Sequence, residues 1–150
     1  MKPAAFFMVL VLMMLPAGVM AQQLPKEGVE EFSRLVHDNM AGAMIGDGHL
    51  ITEEEAQGLE YPLLPYELRQ DIIIRGHLSG FAKICGLDWA GRSFEPFMDG
   101  LRAMTPKPDD YQMAFAGMLH GLSMENAVQS RKDKPCTDEE KARFETQMLK

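Results

Sequence analysis

The chain has 150 residues, with 22 Asp or Glu against 15 Lys or Arg and a formal charge of −7 at pH 7. That balance supplies no electrostatic attraction for nucleic acid or an anionic membrane surface. The length suits one hydrophobic core rather than several domains.

Residues 1–21 read as a signal peptide: Lys2 precedes the apolar run AAFFMVLVLMMLP, and VMA stands before Gln22. The run is about a dozen residues, short of the roughly 20 needed to span a bilayer. Cleavage after Ala21 is therefore expected, leaving 22–150 as a single helical domain in the periplasm or secreted from a bacterium, with no stable membrane insertion. An apolar spacing of three and four residues through Val29, Phe32, Val36, Met40, Ala43 and Met44 predicts a first helix over 26–44. GDGH breaks it, and Thr52 with Glu55 forms a capping box for a short helical turn. After YPLLP, whose second proline can open a helix, residues 66–86 form a nearly apolar helix with a polar stripe of Glu67, Asp71, Arg75 and Ser79. Gly86 is placed to end it. Ser93 is the expected cap of a helix over 94–104, TPKPDD the rigid turn after it, and 109–131 a second nearly apolar helix. Thr137 and Glu140 form the capping box of the last helix. The fold class is all-α: a small bundle of about five helices with one disulfide.

That disulfide is Cys85–Cys136, because an even cysteine count in an exported chain favours a bridge. Cys85 closes one long helix and Cys136 follows the other. Antiparallel packing would leave the sulfurs tens of ångströms apart, at about 1.5 Å rise per residue, so the two helices must run parallel. Each carries paired glycines in its interior, GHLSG at 76–80 and GMLHG at 117–121. We expect Gly76 and Gly80 to face Gly117 and Gly121, with bare backbone in contact. His77 and His120 flank the same groove and are candidate pH sensors, since free histidine titrates near pH 6.5 and charge is costly in an apolar seam.

Other motifs carry less. Aligning GDGHLITEEEA with a calcium loop puts Ala43 and Ile45 at ligand positions, which excludes calcium. Met113, Met124 and His120 share a helix face with soft donors suited to Cu(I), although methionine also fills cores. Asp88 beside Trp89 is a candidate buried acid. No nucleophile elbow, H-E-x-x-H or C-x-x-C motif is present, so no catalytic residue, metal site or cofactor is assigned.

From Cys85 onward the chain resembles the HdeA-type periplasmic acid-stress chaperones. The resemblance rests on a cysteine closing a helix, SFEPF shortly after it, a middle helix, and CTDEEKARF opening the last helix, across residues 85–147. It implies a helical fold whose one disulfide maps onto Cys85 and Cys136. It also implies a dimer that separates in acid and exposes apolar surface to unfolding clients. The helices before Cys85, and GHLSG within them, depart from that pattern. The expectation is a non-enzymatic protein-binding chain, a stress chaperone whose client-binding residues are Phe94, Phe97, Met98, Met113 and Met118. A homodimer is a candidate assembly. The alternatives are an immunity or inhibitor protein that occupies one enzyme, and a periplasmic Cu(I) carrier.

Overall fold

The computed structural model describes residues 24–148; the leader and its cleavage point lie outside them. Six α-helices and one π-helical turn account for the regular structure of these residues. No helix among them is long and apolar enough to cross a membrane.

Helix α1, Lys26–His37, buries Val29, Ser33 and Val36 and stops seven residues short of the predicted end. The apolar spacing continues past His37 because the following loop keeps sending residues inward: Met40 is wholly buried without being helical. Gly42 takes φ 81° and Gly48 φ 88°, conformations that suit glycine. The loop folds back on itself, with the Gly42 N–H donating to Ile51 O and the Ile51 N–H to Ala43 O. Met44 and Leu50 meet there as a single antiparallel bridge. Helix α2, Glu53–Gly58, opens on the predicted Thr52–Glu55 capping box.

Helix α3, Tyr66–Ile84, begins after Pro65 and ends on Gly86 at φ 67°, where the Leu87 N–H donates to Ala82 O. The turn Ala90–Phe94 is π-helical and runs directly into α4, Glu95–Arg102. Ser93 therefore caps nothing; it lies inside that turn with its side chain buried. Asp88 is exposed and accepts a hydrogen bond from the Gly91 N–H, so it is not a buried acid. Helix α5, Asp110–Arg131, starts on an Asp109–Gln112 capping box, and α6, Asp138–Met148, on the expected Thr137–Glu140 pair.

The central contact is between α3 and α5, which run parallel as the bridge requires. Gly76 lies against the His120 carbonyl and Ser123, and Gly80 against the Met124 carbonyl and Ala127. Cys85 and Cys136 are bonded with Cα atoms 5.1 Å apart. The register differs from the expected one. Gly117 and Gly121 do not touch α3: a Cβ on either would meet nothing within 4 Å. The small residues facing Gly76 and Gly80 are instead Ser123 and Ala127, six positions further along α5, or about 9 Å.

Two cores flank this seam. The larger gathers Val29 of α1, Ile72 and Ile73 of α3, Met98 and Leu101 of α4, and Phe115 and Leu119 of α5. The smaller holds α6, with Phe144 and Met148 packed on Ala82 and Leu87 and the Phe144 ring stacked on Phe81 at 5.4 Å. The disulfide and a two-bond Arg131–Glu140 pair clamp the same helix. At the opposite end Arg69, 3% exposed, forms two hydrogen bonds to Glu30 of α1 and one to Tyr61, which also hydrogen-bonds Glu30. This cluster ties α1 to α3 and holds the Glu30 carboxyl down to about 2, first through the Arg69 hydrogen bond and next through Tyr61.

Candidate functional site

The apolar character of α3 and α5 places His120 in the interior at 1% exposure. Its Nε2 lies 3.0 Å from Ser79 Oγ on α3, and that hydroxyl lies 3.5 Å from Ser93 Oγ of the π-helical turn. The imidazole is 4.6 Å from the Phe94 ring and stacks on Trp89 at 6.3 Å. These contacts make a site of one imidazole, two hydroxyls and two aromatic rings, where three parts of the chain meet: α3, α5 and the connection leading to α4.

The site is built for a neutral ring. Both nitrogens of a charged imidazole must donate, and the hydroxyl beside it offers no negative charge. Burial pushes His120 down to about 4, and Arg75, the charged group that acts on it, adds repulsion of like sign. The guanidinium of Arg75 rests 4.9 Å over the Phe97 ring, so α3 presents a cation towards α4 on this side of the bundle.

His77 is not a partner of His120. Its ring faces Phe32 of α1, edge-on at 6.3 Å, with Asn126 of α5 as its polar neighbour. Partial burial lowers its pKa, and the Asn126 contact opposes that shift. The two histidines thus line different sides of the α3–α5 seam.

The proposed client-binding residues sit close to this region. Met98 is buried, while Phe94, Phe97, Met113 and Met118 are partly buried against the larger core. Met113 and Met118 also line a surface groove of about 720 Å³ that includes neither Met124 nor His120. The copper-binding trio suggested by one helix face is therefore not assembled. Among the described residues, no three His, Cys, Asp or Glu side chains are grouped to hold a metal ion. In the GDGH loop, Asp47 accepts the His49 N–H at 2.9 Å, and Glu55 is shared by His49, Thr52 and Tyr111. Its acids serve the turn and the helix cap.

Sequence reasoning singled out His120 but missed its surroundings. In sequence, Ser79 belongs to the polar stripe of α3 and Ser93 reads as a cap. The available signal was that the stripe falls out of phase: Glu67 and Asp71 are exposed, whereas Ser79 is wholly buried. The Glu30–Tyr61–Arg69 cluster gave no sign in sequence, because its members come from a helix, a loop and another helix.

Comparison with protein-family models, curated proteins and solved structures returns no match. The functional reading therefore rests on this geometry.

Proposed function

We propose that the chain is an exported, non-enzymatic binding protein that responds to acid, loosening its α3–α5 seam and presenting apolar surface to unfolding client proteins. The observation that carries this reading is His120: a buried imidazole with a hydroxyl as its polar partner, aromatic rings around it and no carboxylate to receive its charge. Its folded pKa lies below the ordinary 6.5, at about 4. The stability it contributes is complete above pH 6.5 and is lost as pH falls towards 4, because the unfolded chain binds the proton first. The loss is about 3 kcal/mol, a large share of the 5–15 kcal/mol of a typical domain. His77 shifts in the same direction and adds to it.

The carboxylate ties act at lower pH. Glu30 and Glu140 have folded values of about 2, so their contribution is present above the usual carboxylate range and lost as pH falls through it towards 2. Between pH 6.5 and 4 the histidine seam weakens while those ties hold. The rings against His120 belong to Phe94 and Trp89, the first surface such loosening would uncover, with Phe97 and Met98 following on α4.

The test measures apolar-dye fluorescence and suppression of client aggregation from pH 7 to pH 3, for the native chain and for His120→Gln. The native chain should gain both activities between pH 6 and 4, with the variant responding only at lower pH. No dye binding and no protection of clients at any pH would refute the reading, and capture of a single tight partner at neutral pH would replace it with a dedicated inhibitor.

A further inference from the structure

The loop after α1 is a short hairpin whose hydrogen bonds run inward. The Ile45 N–H donates to His49 O, and the Ile51 N–H to Ala43 O. Met44 and Leu50 face each other between these bonds, as the non-hydrogen-bonded pair of an antiparallel ladder. In such a pair the N–H and C=O of each residue point away from the partner strand. Those of Met44 accordingly find no hydrogen-bond partner among the described residues. The sequence leaves this edge bare: residues 41–46, AGAMIG, contain neither a charge nor a proline, the usual guards of an exposed edge. Met44 is 67% exposed and Leu50 53%, so an apolar pair stands on the surface.

Residues 41–46 form one wall of a groove of about 720 Å³. His49, Leu50 and Ile51 do not line it, so the wall is the unpaired edge of the hairpin. Opposite stand Met98 of α4 and Met113, Ala114, Gly117 and Met118 of α5. At one end the Asp110 carboxylate lies against Gly46, 3.1 Å from where a Cβ would stand, which sets the edge alongside the first half of α5. Further along, Gly117 leaves the floor open, since a Cβ there would meet nothing within 4 Å. One extended strand suits this space, pairing its main chain with Met44 and laying alternate side chains on adaptable thioethers.

Charge selects among such strands. Arg102 is paired with Asp99 at 2.7 Å, and Lys107 and Asp110 offset each other three residues apart, so the groove is neutral in a chain of formal charge −7. A charged segment of either sign would find no spare counter-charge there; an uncharged one complements it. We propose that this groove binds one extended, uncharged, apolar peptide segment, of the kind an unfolding protein exposes, by strand addition to the Met44 edge. This goes beyond the acid-loosened seam: the site works in the folded protein at neutral pH and does not depend on His120.

The experiment uses the exported chain with its disulfide intact at pH 7. The probe is a capped eight-residue peptide alternating leucine with serine, followed by fluorescence anisotropy and by NMR. It should bind with an affinity unchanged between 50 mM and 500 mM salt, shifting the Met44 amide and the methyl resonances of Met113 and Met118. N-methylation of alternate amides along one edge of the peptide should abolish binding, and along the other edge should spare it. Met44→Pro deletes the outward N–H without removing a hydrogen bond of the hairpin, and should lose at least tenfold in affinity with its circular dichroism unchanged. Leu50→Pro, the same change on the edge away from the groove, and Met44→Leu should bind as the native chain does. Gly117→Leu, which fills the floor, should also lose at least tenfold. His120→Gln should bind undiminished, so that failure of the acid-responsive seam and failure of this site are told apart. The proposal is overturned if the peptide does not bind, if the two methylated peptides bind equally, or if Met44→Pro binds as well as the native chain. A concentration-dependent dimer abolished by Met44→Pro, with no peptide binding, would overturn it in favour of a second copy.

Discussion

Alanine substitution at the four interior glycines separates two roles that look identical in sequence. At Gly76 a new Cβ would sit 2.5 Å from the His120 carbonyl oxygen and 2.6 Å from Ser123 Cβ; at Gly80 it would sit 2.5 Å from the Met124 carbonyl oxygen and 2.7 Å from Ala127 Cβ. Comfortable carbon contacts are about 3.5–4.0 Å, so α3 and α5 must part by roughly 1 Å. The obstacle is backbone, which cannot rotate away. Overpacking of this kind costs about 1–3 kcal/mol, and separating the longest helix pair places these sites at the upper end, outweighing the gain of about 1 kcal/mol in helix propensity. At Gly117 and Gly121 the same substitution meets open space, so only the propensity gain remains. Urea unfolding at pH 7 should therefore show Gly76→Ala and Gly80→Ala destabilised by about 2 kcal/mol, and Gly121→Ala stabilised by up to about 1 kcal/mol. Equal stabilisation at all four positions would refute the seam, because no helix could then be pressed against Gly76 and Gly80.

Three further outcomes follow from the same packing. Glu30→Ala leaves the buried Arg69 guanidinium without its carboxylate and should cost about 3–5 kcal/mol in urea unfolding; a cost below about 1 kcal/mol would mean that the pair is in effect solvated. Reducing Cys85–Cys136, which are 51 residues apart, should remove about 4 kcal/mol on the chain-entropy model, with α6 losing hydrogen-exchange protection before α3 or α5. Phe144→Ala should cost about 3–5 kcal/mol and release α6, leaving protection of the larger core near Phe115 intact; loss of both cores together would show that they unfold as one.

Sequence reading reached the helices through their punctuation and failed where tertiary geometry decides. The capping boxes at Thr52 and Thr137 and the stop at Gly86 are local chemistry, complete within a few residues, and all three stand where expected. The parallel run of α3 and α5 was legible because a covalent bridge constrains helix direction. Their register was not, since residues 132–137 separate the last turn of α5 from α6 and allow the bridge several offsets. A small residue was needed opposite each glycine of α3, and Ser123 with Ala127 supplied that spacing as well as Gly117 with Gly121 did. The end of α1 was misplaced because Met40 keeps the helical spacing while lying in a loop. The polar partners of His120 stayed hidden for a similar reason: serine reads as surface or cap unless a neighbouring element is known to cover it.

The most direct test of the acid-responsive seam follows the His120 imidazole by NMR from pH 8 to pH 3. A ring that stays neutral as long as the native spectrum persists, and becomes charged together with loss of native chemical-shift dispersion between pH 6 and 4, is the predicted result. Reversible titration near pH 6.5 within an unchanged folded spectrum would contradict it, because the imidazole would then carry its charge inside the bundle at no cost.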